Sequence, residues 1–210
     1  MDLLDTDCPR LDTDQLQNTY FGLRHGTSRA NETGIIISDP LAGIDAYGLS
    51  EHGVLEVENS IIEATRNGWV TDKTVIYTSD FRRTLETATI ASQMLHTRPP
   101  IVSLYLRERR FRDFDGGPDD AYNRVWERDA IDPNHHDFRC ESVHDVLERT
   151  VLFVLEMERR YYDSTILMVS HGDPLQILLT AFCGIPPNKH RELIPFARGE
   201  IRNFTPTFHT

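Results

Sequence analysis

Four short apolar runs in this chain break abruptly into charged sequence, and the breaks share a vocabulary. Arg24-His25-Gly26 follows "TYFGL" (19–23), Ser79 to Arg83 follows "TVIYTS" (74–79), Arg107-Glu108-Arg109 follows "IVSLYL" (101–106), and His171-Gly172 follows "TILMVS" (165–170). A neutral imidazole is a competent nucleophile at neutral pH, with an unperturbed pKa near ~6.5. Phosphorus suits it as an electrophile, because positioning and charge neutralisation carry most of phosphoryl transfer. Arg24 and Arg83 offer forked N–H pairs for phosphoryl oxygens, and the second histidine, if protonated, adds another donor. Arg83 and His171 also sit near expected helix N-termini, where free amides favour an anion. Gly26 and Gly172 remove side chains where backbone must come close. A leaving alkoxide needs a proton, and Glu108 is the nearest candidate acid, provided that it stays protonated near neutrality.

Bringing these groups together is a matter of topology. Between the four expected strands the chain reads as helix: 51–67 behind Ser50, 81–95 behind Ser79-Asp80, 143–161 behind Ser142, and 174–183 between Asp173-Pro174 and Gly184. Asp145 completes a capping box with Ser142, and Val143, Val146, Leu147, Val151, Val154 and Met157 keep one apolar face. Alternating strands and helices predict an α/β fold, a three-layer α/β/α arrangement around a mostly parallel central sheet. Sites in such sheets lie beyond the carboxyl ends of the strands, where all four breaks fall. "LIPFARGEIRNF" (193–204) reads in part as a final strand, and residues 1–18, polar and acidic, as a flexible lead-in to one domain over 19–210.

Composition excludes several partners. The 210 residues carry 33 acidic and 22 basic side chains, a formal charge of −11, which disfavours nucleic acid and anionic membrane surfaces. Lys73 and Lys189 are the only lysines, so nearly all positive charge is arginine, suited to bidentate recognition of phosphate or carboxylate. Cys8, Cys140 and Cys183 are odd in number and widely spaced, giving neither a disulfide framework nor a zinc site. The N-terminus lacks a basic start and an apolar core, and no apolar run is long enough for a bilayer. A soluble, cytoplasmic protein is expected.

These residues resemble the histidine phosphatase superfamily, in its phosphoglycerate mutase-like branch, over about residues 19 to 185. "LRHGTSRAN" (23–31) is similar to the family's Arg-His-Gly signature, with Ser28 and Asn31 at its Ser/Thr and Asn positions. "LSEHG" (49–53) resembles the entry to its first long helix. "YTSDFRRTLETA" (77–88) resembles the segment holding a phosphate-binding arginine, which falls on Arg83. "LRERRF" (106–111) resembles the segment of the acid glutamate, "CESVHDVLER" (140–149) a Gly-Glu-Ser segment with Cys140 replacing glycine, and "MVSHGDPLQIL" (168–178) the second-histidine motif. The resemblance implies that His25 is the phosphorylated nucleophile, that Arg24, Arg83 and His171 form the phosphate pocket, that Asn31 binds phosphoryl oxygens, and that Glu108 is the acid and then the base. It implies no metal and no other cofactor, and a small phosphorylated substrate.

Three readings follow. The favoured one is a phosphomonoesterase. The alternative is a phosphoglycerate mutase; against it, Arg109-Arg110 lie too close to Glu108 to be the mutases' paired arginines, residues 117–140 hold only Arg124, Arg128 and Arg139, and Phe111 stands where a tyrosine is expected. The third is a non-catalytic phosphate-binding regulator, which the intact histidines and Arg83 disfavour. Elsewhere, Arg82 reads as a surface neighbour, and Arg29, Arg109 and Arg110 divide evenly between substrate contact and solvated charge. His135-His136 reads as a surface loop, "DFDGGPDD" (113–120) as a turn with positive φ at Gly116 and Gly117, and Asp173 as a helix cap. Residues 34–48 and 111–140 are expected to form the pocket rim.

Overall fold

The structure is a computed structural model that describes residues 11–205. Its centre is a five-stranded sheet in the order β3-β2-β4-β1-β5, formed by β1 (Thr19–Arg24), β2 (Val75–Thr78), β3 (Ile101–Val102), β4 (Thr165–Ser170) and β5 (Ile201–Asn203). β1, β2, β3 and β4 pair in parallel, and β5 closes one edge antiparallel to β1. The unbroken apolar run of β4 follows from burial on both faces. Ile166 and Met168 point to a core built with α6 (Val143–Arg160) and α7 (Gly172–Cys183), while Leu167 and Val169 point to one built with α3 (Glu51–Arg66) and α4 (Arg82–Leu95). Each fully buried aliphatic side chain contributes about 1.5–3 kcal/mol. The result is the three-layer α/β/α arrangement.

The third strand departs from expectation. Only Ile101–Val102 extends, and Leu104–Leu106 winds into a 3₁₀ turn. Ile101 and Val102 are edge positions, 41% and 48% exposed, so they have no core to hold the run straight. The turn swings Leu106 into the core, where Ser170 Oγ donates to its carbonyl at 2.7 Å, and so fixes the approach to Glu108. Residues 1–10 of the expected lead-in, with Cys8, lie outside the described residues. Within 11–18, Leu11 and Leu16 rest partly buried against the core, and buried Asn18 donates to Glu158 Oε1 at 2.8 Å. The packed body therefore begins before residue 19.

The two rim segments form a unit of their own around Ile36, Phe111, Ala121, Val125 and Cys140. The short helix α1 (Arg29–Glu32) leads into the first of them; they contain the short helix α2 (Pro40–Gly43) and α5 (Tyr122–Ile131), which has few apolar positions to announce it. Gly116 takes φ +76° in the turn as expected, but Gly117 does not adopt positive φ. Asp115 Oδ1 accepts from the backbone N–H groups of Ser38 and Asp39 and from Ser38 Oγ, binding one rim segment to the other. Among the described residues, no helix is long and apolar enough to cross a membrane.

Candidate active site

Register assembles the site. Arg24 pairs with Ser170 and Thr78 with Val169, so the next residues, His25, His171 and Ser79, stand in a row just past three adjacent strands. The ladder continues through that row: His25 N–H donates to Ser170 O at 3.0 Å and Ser79 N–H to Val169 O at 3.1 Å.

His25 and His171 are both buried, with ring centroids 5.2 Å apart. His25 Nδ1–H donates to Gly26 O at 2.8 Å, which fixes the tautomer and leaves the Nε2 lone pair facing Arg83. Arg83, entering from the first turn of α4, donates from Nε to His25 Nε2 at 3.1 Å and to His171 Nδ1 at 3.2 Å. Its Nη2 donates to Ile37 O at 3.0 Å, tying it to the rim. His171 Nε2 lies 3.1 Å from Ser79 Oγ. Burial, then the charge of Arg83, holds both histidines well below the usual imidazole range. Both are neutral at pH 7.

Glu108 faces this pair. Its neighbours are bound in other directions: Arg107 Nη2 donates to Asp80 Oδ2 at 2.5 Å, and Arg109 donates to Asp129 at 2.7 and 2.8 Å. Glu108 Oε1 accepts from Arg109 N–H at 2.9 Å, while Oε2 stands 3.6 Å from both Arg83 Nη2 and His171 Nδ1. Burial pushes its carboxyl up to about 7 against the pull of Arg83, and the charge of Asp173 adds to the rise. Glu108 can therefore hold a transferable proton near neutrality.

Arg24 Nη1 donates to Phe196 O at 2.6 Å, and its buried Nε has no acceptor among the described residues, leaving a donor in the cavity wall. Gly172 lies against that guanidinium, where an added Cβ would come within 3.3 Å of Arg24 Cζ. Ser28 caps α1, and Asn31 Oδ1 accepts from Ser28 N–H at 3.1 Å and Oγ at 2.9 Å. That commits the Asn31 carbonyl and leaves its amide N–H groups available. Gly26 must be bare for a packing reason: its Cβ would fall 2.3 Å from Gly53 O, so its bareness admits α3.

Arg24, His25, Ser28, Asn31, Arg83, Glu108 and Gly172 line one cavity of about 340 Å³. The remaining wall includes Tyr122, Trp126, Asp173, Gln176, Arg191 and Arg198. Arg191 and Arg198 escaped the sequence reading because the segment after α7 carries no local pattern that marks them, and Gln176 because it sits among the apolar positions of α7. Tyr122 stacks on Trp126, with centroids 5.4 Å apart, and meets Phe111 edge-on at 4.7 Å.

Three expectations are corrected here. Arg109 is fully buried in a network with Asp129, Asp173 and the Glu141 carbonyl, so it is neither a substrate contact nor a solvated charge. His135 is not a loop-surface residue: it is buried, with Nε2 2.7 Å from Asp129 Oδ1, whereas His136 is largely exposed. Asp173 caps no helix; it lies within the first turn of α7 and accepts from Trp126 Nε1 and Arg109. Arg29 and Arg110 are absent from the cavity wall, and Arg82 is exposed against Glu86. Among the described residues, no group of three or more His, Cys, Asp or Glu side chains could hold a metal ion.

Comparison with known proteins agrees with this geometry. The sequence profile of the histidine phosphatase superfamily (branch 1) matches residues 21–205, and the chain belongs to that family. A curated relative, the uncharacterized phosphatase PhoE of Bacillus subtilis, is 29% identical over 114 residues, 54% of this chain and 55% of the relative. The match thus spans little more than half the length of that protein. Among solved structures, Bacillus stearothermophilus YhfR superposes with a TM-score of 0.70 at 24% identity, covering 88% of this chain and 89% of the other. A mycobacterial glucosyl-3-phosphoglycerate phosphatase, solved with VO3, gives 0.70 at 20% identity, covering 87% and 90%. The fold is that of the phosphoglycerate mutase-like phosphatases.

Proposed function

We propose that the protein is a phosphomonoesterase acting through a phosphohistidine on His25. The observation that carries this reading is the His25 Nε2 lone pair, unprotonated at neutrality and aimed at a point flanked by Arg83 and His171. Nε2 attacks phosphorus, the bond to the leaving oxygen breaks, and Glu108 gives its proton to the departing alkoxide. Water then attacks the phosphohistidine, Glu108 takes the water proton, and the bond to Nε2 breaks as phosphate leaves. Arg24 and Arg83 neutralise the equatorial oxygens, assisted by the Asn31 amide and by His171 once it gains a proton. The cavity suits a small phosphorylated molecule.

Hydrolysis is preferred to mutase chemistry by the fate of the rim arginines. Arg128 is paired with Asp137 and Arg139 with Asp113, and Arg124 lies over Phe114 and Phe138 at 5.1 Å. None lines the cavity, so a paired-arginine clamp is missing from this segment. The test is a phosphoester panel including 3-phosphoglycerate, with and without 2,3-bisphosphoglycerate. Phosphate release is expected throughout. Isomerisation outrunning release, stimulated by the bisphosphate, would replace this reading with the mutase.

A further inference from the structure

The segment between α7 and β5 brings two arginines to the cavity that the mechanism does not use. It is tied to the catalytic strand: Gly199 N–H donates to the carbonyls of Arg24 at 3.1 Å and His25 at 3.2 Å, and Phe196 O accepts from Arg24. Arg198, next to Gly199, is exposed at the cavity and makes no ion pair or hydrogen bond with another described residue. Its charge is near enough to weigh on both Arg24 and His25. Arg191 is held in place instead. Its guanidinium lies 3.7 Å over the Trp126 ring, and Nη1 donates to Gln176 Oε1 at 2.5 Å. Asp173, the carboxylate nearest to it, is 3.9 Å away and already accepts from Trp126 and Arg109. The other acidic residues lining the cavity, Glu108 and Asp119, pair with neither arginine.

Arg24 and Arg83 already serve the transferred phosphoryl. From the placement of the other two, resting on the phosphatase reading above, we infer that Arg191 and Arg198 form a second anion subsite, so that the substrate is a phosphomonoester whose leaving group itself carries a carboxylate or a second phosphate. Arg191 lines the same cavity as the proton donor Glu108, beside Asp173 and Trp126. Stacking and the Gln176 bond have already restricted its side chain, so less freedom is lost when an anion binds. A protein of formal charge −11 keeps these cations at one mouth, which draws anionic substrates there.

The test compares glycerol 3-phosphate with 3-phosphoglycerate, which replaces its hydroxymethyl group with a carboxylate, and with glycerol 1,3-bisphosphate, which adds a second phosphate. p-Nitrophenyl phosphate is the fourth ester. Wild type is expected to favour at least one of the two anionic-bodied esters over glycerol 3-phosphate by roughly tenfold or more in kcat/KM, the two arms identifying the anion. Arg198→Gln and Arg191→Gln should lower that ratio severalfold, and Arg198→Lys should retain more of it. The ratio cancels any effect of Arg198 on His25 common to all esters. A wild-type ratio near one, or one unmoved by both Gln variants, overturns the subsite and leaves the phosphatase. Turnover of p-nitrophenyl phosphate alone does the same, whereas no turnover of any of the four overturns both.

Discussion

His25 Nε2 and His171 Nδ1 share a single donor, the Nε–H of Arg83, at 3.1 and 3.2 Å. A nitrogen that accepts a hydrogen bond carries no proton, so both rings turn a lone pair toward the same point. In the proposed reaction, a phosphoryl group entering there meets one imidazole as nucleophile, and the second acquires a proton as the dianion's charge opposes the Arg83 field. Replacing Arg83 with Gln should lower kcat/KM for any hydrolysed ester by about 10²–10³-fold, the usual loss for an oxyanion donor. Steady-state kinetics, with circular dichroism to verify folding, checks this.

The pH profile should reflect the two groups that must be in opposite states. Burial and Arg83 keep His25 neutral to well below its usual range, so the acid limb it controls lies below about 6.5. In the proposed reaction Glu108 must be protonated for the first step, and burial lifts its carboxyl to about 7. Hence kcat/KM should fall as pH rises through about 7. Glu108→Gln should abolish that alkaline limb along with most of the activity on esters with poor leaving groups.

The same carboxyl predicts a stability signature. Its folded pKa, about 7, exceeds the ordinary 4.5, so between those values the unfolded chain releases a proton that the folded chain keeps. Stability contributed by the protonated group is thus complete below about 4.5 and is lost as pH rises to about 7. Thermal melts should show Glu108→Gln gaining on wild type across that window, by up to a few kcal/mol above it. Parallel curves would mean that Glu108 is not buried as described.

Asp129 offers a different measurement. It accepts from Arg109 and His135 in the interior, and losing one partner of a buried pair costs about 3–5 kcal/mol. Asp129→Ala should lower stability by that order in denaturant titrations, leaving Arg109 buried without its main counter-ion. A loss below ~1 kcal/mol, typical of exposed pairs, would contradict the burial of this network.

Much of the site was legible because each strand hands its polar residues to the sheet edge in sequence order. His25, Ser79 and His171 stand at the ends of apolar runs, and parallel register does the rest, while Glu108 reaches the same place through the 3₁₀ turn after β3. Arg109 was opaque for the converse reason: its burial depends on Asp129 and Asp173, 20 and 64 residues away, and no local pattern links them. The shortening of β3 depends on its edge position, which appears only when the strand order is known. Gly26 was legible as a place where backbone comes close, but not which backbone: Gly53, brought there by the packing of α3. Arg191 gains meaning only once Trp126 and Gln176 surround it.

The most direct test of the central claim is to trap the covalent intermediate. Mixing the enzyme with a radiolabelled phosphoester it hydrolyses and quenching in alkali should leave label on the peptide containing His25, stable to base and lost in acid. His25→Ala should carry none and turn over no ester. Label on another residue, or hydrolysis that survives His25→Ala, would contradict the account.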